Sequence, residues 1–159
     1  GLCVMLRRQG ASTLQSISSL LRLSISETHA AMGRLRHCQL LAATTSASRQ
    51  PLAVNVLEFA EHGLRFVFPP ELGPPTRGIA TGAAVVPGIS RPKQPLVWPL
   101  ESGGTIGSAL APLYRSVPAA CAADRDLHVA MAALDCLRVG RPREREAGMA
   151  VLRDLLGDP

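Results

Sequence analysis

Between residues 69 and 118, ten prolines and seven glycines occupy 17 of 50 positions, out of 13 and 14 in the whole chain. Proline locks φ and lacks a backbone N–H, and glycine loses the most backbone entropy on folding, so no long helix crosses this stretch. The 159-residue chain therefore has helical parts on either side of a segment that only packing can order, across its own domain or across a second protomer. Within the segment, PLVWPL (95–100), the turn ESGG and TIGSALAPLY are expected to form a β-hairpin. Apolar residues make up 47% and charged residues 18%, enough for a core and too apolar for a chain disordered throughout.

Charge is divided just as unevenly. Residues 1–50 carry six arginines against the single acid Glu27, a net +5, while the eleven basic and eleven acidic residues of 51–159 cancel. A basic end on a neutral body points to a polyanionic partner. The five aromatic residues, Phe59, Phe66, Phe68, Trp98 and Tyr114, all lie outside the first fifty. That argues against single-strand platforms, which stack bases on clustered rings, and leaves duplex DNA as the expected polyanion.

The segment Ser12 to Leu41 reads STLQSISSLLRLSISETHAAMGRLRHCQLL. Leu14, Ile17, Leu21 and Leu23 share one face of a short helix that Ser12 or Thr13 can cap. Ser24 or Ser26 then caps a second helix, 26–38, whose inward positions are Thr28, Met32 and Leu35. Two short helices joined by a tight connection at Arg22–Ile25, the second presenting small and polar groups outward, make a helix-turn-helix.

Leu23-Ser24-x-Ser26, followed by Thr28, Met32 and Arg34-Leu35, resembles the bacterial winged helix-turn-helix regulators of the MarR type. Leu40-Leu41 is similar to the family's exit from the recognition helix into the first wing strand. The resemblance covers about thirty residues and implies a DNA-binding transcription regulator, a repressor acting as a homodimer; reduced thiols and the lack of a membrane-spanning run make the cytoplasm its expected location. Two departures stand out. The family usually has Gly at the turn, where Arg22 stands here, so the turn is expected to be slightly reshaped. The stretch AATTSASRQ before Pro51 leaves room for only a short wing around Arg49, or for none.

If the second helix enters the major groove, its base-reading positions are Ser26, Glu27, His29, Ala30 and Gly33, with Ile25 at the entry. Glu27 can accept from cytosine N4, while Ala30 and Gly33 leave room for close approach. Phosphate contacts fall to Ser24, Arg34, Arg36 and Arg49, with Arg7 and Arg8 before them.

Residues 51–68 are expected to hold a connecting helix ending at Gly63 and a short strand. Residues 119–159 form a helical hairpin, 123–139 and 141–156, with Gly140 between and Pro142 in the first turn of the last helix. Its apolar arc of Ala147, Ala150, Val151, Leu152, Leu155 and Leu156 favours burial over a solvated end, either against another subunit or partner or against the chain's own body. The expected architecture is thus α+β, mainly α, with an N-terminal helix-turn-helix (1–50), a connector (51–68), a Pro/Gly-rich segment with a β-hairpin (69–118) and a C-terminal helical hairpin.

Chemistry is not written into the sequence. Cys3, Cys38, Cys121 and Cys136 show no zinc-finger spacing and are expected as reduced, buried thiols. Asp124 and His128, at i and i+4, suggest a surface pair, and the GGTIG run at 103–107 lacks the Lys of a phosphate loop. Neither an enzyme nor a bound metal or cofactor is expected, and no charge-free run is long enough to span a membrane. A second reading is an interaction protein whose neutral body restrains a partner. Winged-helix antitoxins of abortive-infection nucleotidyltransferase systems resemble this layout and the stretch EFAEHGLRFVFPPELGPPTRGIATG, which implies a toxin-like nucleotidyltransferase as partner.

Overall fold

The computed structural model describes Cys3 and residues 13–42 and 50–157. The described chain is α+β and mainly helical, with one small three-stranded sheet. It begins with α1 (Leu14–Leu21) and α2 (Ile25–His37). Next come α3 (Ala53–Glu58), a π-helical turn (Phe59–Gly63) and α4 (Leu64–Val67). The sheet strands are β1 (Leu72–Thr81), β2 (Leu96–Pro99) and β3 (Thr105–Leu110), with a 3-10 turn at Gly82–Ala84. Three helices close the chain: α5 (Val117–Cys121), α6 (Arg125–Val139) and α7 (Pro142–Leu156).

Of the candidate caps, Thr13 and Ser24 start the first two helices, and the second runs Ile25–His37 rather than 26–38. Thr13 Oγ1 accepts from Ser16 N–H at 3.2 Å to start α1, and Ser24 Oγ accepts from Glu27 N–H at 3.1 Å to start α2. Ile17 and Leu21 of α1 and Thr28 and Met32 of α2 are buried against each other. The Ser18 and Thr28 hydroxyls meet at 3.0 Å between the two helices, so even the polar positions of this contact are satisfied. The turn is not reshaped: Arg22 itself adopts the left-handed conformation, φ 51 and ψ 46. A left-handed L-residue costs about 1–2 kcal/mol, and glycine's extra chain entropy returns about 0.5–1 of that. Arg22→Gly should therefore raise stability by about 0.5–1 kcal/mol, measured as a higher urea midpoint at unchanged slope.

After α2, residues 40–42 pair antiparallel with residues 50–52, while residues 43–49, Arg49 among them, lie outside the described residues. Ala42 N–H donates to Gln50 O at 2.9 Å, Leu52 N–H to Leu40 O at 3.1 Å, and Leu41 bridges Pro51.

Two expectations for the middle of the chain need correction. The connecting helix does not end at Gly63, and residues 64–67 are helical rather than a strand. Leu57, Ala60 and Leu64 are all buried in one core, and helical spacing of these three outweighs the strand propensity of LRFVF. The 95–114 hairpin is also absent. β2 and β3 pair in parallel at Leu96↔Ser108 and Val97↔Ala109, and both run antiparallel to β1, which closes the three strands into a ring. β1 carries Pro74 and Pro75 at a register shift, where the lost N–H groups are tolerated. The ring closes only because backbones touch. A Cβ on Gly78 would lie 2.0 Å from Trp98 O, and one on Gly103 would lie 2.2 Å from Gly78 O.

The C-terminal hairpin forms close to its expected bounds, with Pro142 in the first turn of α7 and Asp124 Oδ1 accepting from Leu127 N–H at 2.9 Å to start α6. Leu152 and Leu156 of α7 are buried in the chain's own core against Ala133, Cys136 and Leu137 of α6, not reserved for another subunit. His128 is not a surface residue: it is half-buried, its Nε2 lies 2.7 Å from Ala80 O, and its ring centre is 5.6 Å from that of Trp98. A second core joins Ile17, Leu21, Met32 and Leu41 to Trp98, Val117, Leu127 and Met131, so α1 and α2 are seated directly on the body. Among the described residues, no helix is long and apolar enough to cross a membrane.

A buried polar network ties the layers together. Asp135 Oδ2 accepts from Thr81 Oγ1 at 2.8 Å and Trp98 Nε1 at 2.7 Å, and Oδ1 accepts from Arg138 at 2.7 Å. Arg138 also donates to the carbonyls of Phe68, Pro69 and Ala111. Burial pushes the Asp135 carboxyl up, while Thr81, Arg138 and Trp98 all donate to it and favour the ionised form.

Candidate functional site

The helix that carries the candidate site is anchored on one face and open on the other. Thr28 and Met32 are buried, whereas Ile25, Ser26, His29, Ala30, Gly33 and Arg34 are exposed. Ser26, His29, Ala30 and Gly33 fall at i, i+3, i+4 and i+7, one continuous stripe, and His37 extends it at i+11. No atom lies within 4 Å of where a Cβ on Gly33 would sit. The stripe is thus a shallow surface of small and hydrogen-bonding groups, flanked by the Arg34 guanidinium.

Other expected contacts separate. Arg36 is half-buried rather than fully presented. Arg7, Arg8 and Arg49 lie outside the described residues. Ser24 is committed to the helix start, and so is Glu27, which closes a capping box: its Oε2 accepts from Ser24 N–H at 3.0 Å and Ser24 Oγ at 2.7 Å.

The other Glu27 oxygen reaches residues that sequence reasoning did not single out. Oε1 accepts from Tyr114 Oη at 2.8 Å and from Arg115 at 3.1 Å. The pairs stand 87 and 88 positions apart, too far for any local pattern to signal them. Hydrogen bonds from the Ser24 hydroxyl and N–H, then from Tyr114, with Arg115 nearby, hold the Glu27 carboxyl down to about 2. A depressed carboxylate contributes stability above its unfolded value near 4.5, and that contribution is lost as pH falls through about 2. Glu27→Gln should flatten this part of the acid limb, seen by comparing melting temperatures of the two proteins between those limits.

Behind α2 lies an apolar cavity of about 280 Å³. Ala31 and Leu35 of α2, Phe59 of the π-helical turn and Met131 and Leu134 of α6 form part of its wall. From the Pro/Gly-rich segment only residues just before and within α5, such as Leu113 and Val117, reach it. The sheet therefore braces the body through Asp135 and does not line this cavity.

Among the described residues, no group of three or more His, Cys, Asp or Glu is placed to hold a metal ion. Cys3, Cys121 and Cys136 are buried thiols, and burial pushes Cys121 and Cys136 up to about 12, far from a reactive thiolate. Cys38 departs from the expectation of burial, because it caps the C-terminus of α2 at the surface.

Compared with family models, curated proteins and solved structures, the chain has no match in any of the three.

Proposed function

We propose that the chain is a sequence-specific duplex DNA-binding regulator, a repressor acting as a homodimer, which places α2 in the major groove. The observation that carries this reading is the exposed stripe Ser26, His29, Ala30 and Gly33 beside Arg34, on a helix whose opposite face is buried in the core. Three further features support it. The net +5 is confined to residues 1–50. α1 and α2 are joined by three residues, a helix-turn-helix spacing. The antiparallel pairing of 40–42 with 50–52 stands where a wing of such a protein begins. One helix reads only a few base pairs, so two copies on half-sites about 34 Å apart supply the affinity.

The test is a gel shift on the duplex that lies upstream of the protein's own coding frame, repeated from about 50 to 200 mM salt. Binding should weaken steeply over that range because releasing counterions gains less free energy as the bulk salt concentration rises. Replacing Arg34 and Arg36 by Ala should remove it, with a melt to show that the half-buried Arg36 position still folds. Absence of any shifted duplex at low salt overturns the reading.

A second reading, a partner-restraining antitoxin-like protein, draws on the large apolar side chains left at the surface of the body: Phe66, Val67, Leu72 and Ile106 are 59–70% exposed. Co-purification with a toxin-like nucleotidyltransferase encoded next to it supports this role, which is compatible with DNA binding. Recovery of the chain alone from cells expressing both speaks against it.

A further inference from the structure

Glu27 is the one acid within residues 1–50, and it stands in the first turn of α2. A carboxylate at the groove-entering end of a helix faces DNA phosphates and repels them. Here the body supplies the counter-charge. Arg115 meets Glu27 Oε1 at 3.1 Å through one terminal nitrogen, and its side chain remains 81% exposed. A guanidinium has five N–H donors in a planar fork, so a single contact of this kind leaves most of them directed to solvent.

The position of Arg115 is set by its neighbours. Tyr114 Oη donates to the same Glu27 oxygen at 2.8 Å, and the guanidinium centre lies 5.9 Å from the Tyr114 ring centre. Ser116 Oγ donates to Leu21 O at 2.8 Å, and Val117 N–H closes a turn onto Tyr114 O at 3.0 Å. The loop is thereby fastened to the last residue of α1 and to the first turn of α2. A cation from the C-terminal body is thus carried at the first turn of α2, the turn that also holds Ile25 and Ser26.

We propose that Arg115 is a DNA phosphate contact supplied by the body, with Tyr114 and Glu27 as its positioning residues; the proposal rests on the reading of α2 as the groove-entering helix. The ligand chemistry is a backbone phosphodiester beside the N-terminus of α2. Glu27 then serves as a bracket that orients the guanidinium and has no free carboxylate for reading cytosine. The DNA-contacting surface extends beyond the basic first fifty residues into a part of the chain whose net charge is zero.

The experiment measures affinity of the full chain for the same upstream duplex as a function of salt, for wild type, Arg115→Gln, Arg115→Lys and Glu27→Gln, each checked for folding by its melt. A lost phosphate contact lowers the magnitude of the log–log salt slope by about one. Arg115→Gln should show that decrease together with weaker binding at low salt. Arg115→Lys should keep the wild-type slope because the charge remains, and Glu27→Gln, which loosens the bracket but leaves the cation, should lower the slope by less than Arg115→Gln does. An unchanged slope in Arg115→Gln overturns the proposal. So do equal affinity losses in Arg115→Gln and Glu27→Gln with both slopes unchanged, since the loop would then be only a structural clip. A wild-type protein that binds no duplex at about 50 mM salt is a different result, because it overturns the reading of α2 itself.

Discussion

Asp135→Ala should destabilise the protein by about 3–5 kcal/mol, the cost of leaving a buried charge without its partner. The substitution strands the Arg138 guanidinium in the interior and removes the acceptor for the Trp98 N–H and the Thr81 hydroxyl. Against a total of roughly 5–15 kcal/mol for a domain, that is a large share. It corresponds to a fall in melting temperature of roughly 6–20 °C at this chain length. Paired removal of both charges, Asp135→Leu with Arg138→Met, is often harmless where an ion pair is isolated. Here it should not be, because Arg138 also satisfies the carbonyls of Phe68, Pro69 and Ala111 and the pair links α6 to β1, β2 and two loops. Urea denaturation of both variants distinguishes the cases. A double variant as stable as wild type would show that the network is dispensable.

The second large effect separates fold from function at one position. Gly33 sits in the middle of α2 with open space where its side chain would be. Gly33→Ala should therefore stabilise the protein by about 0.5–1 kcal/mol, the helix penalty of glycine, visible as a higher urea midpoint. Gly33→Glu adds a carboxylate to the centre of the stripe between Ala30 and His37, at a position where nothing lies within 4 Å of the new Cβ. Like charge set against DNA costs several kcal/mol, so duplex affinity should fall by about 100-fold or more while the melting temperature stays at or above that of wild type. An undiminished gel shift by a folded Gly33→Glu protein would remove α2 from the interface.

The parts of the molecule that could be read in the sequence share one property: their partners are close along the chain. The Ser24–Glu27 capping box spans three residues, and the buried face of α2 follows from Thr28 and Met32 at helical spacing. Asp124 and Pro142 start the last two helices through contacts made within a turn. Errors arose where a local pattern competes with a distant one. LRFVF has strand-forming side chains, yet Leu64 joins Leu57 and Ala60 in a core that also holds Met149 and Leu152. The turn ESGG suggested a hairpin, but the strand that pairs with both β2 and β3 is β1, a stretch whose prolines made it look unpaired. Arg22 was expected to reshape its turn, and it adopts the strained conformation because Leu23 N–H donates to Ser18 O at 2.9 Å and the buried α1–α2 contact hold it there.

The candidate site divides in the same way. Ser26, His29, Ala30 and Gly33 were identifiable as one outward stripe because a helix repeats every 3.6 residues, and that repeat is a property of the sequence alone. Tyr114 and Arg115 were not, since only the seating of α1 and α2 on the body brings their loop to Glu27. By itself the sequence determined which helices exist at the two ends, which of their faces turn inward and where the excess positive charge lies. These follow from hydrogen bonds and side-chain spacing within a few residues. The tertiary structure decided the closure of the Pro/Gly-rich segment into a ring, the burial of Asp135 with Arg138 and the meeting of α2 with the 113–116 loop. Each of those depends on backbones or charges brought together from distant positions, where the favourable term is packing and desolvation that no local window of sequence contains.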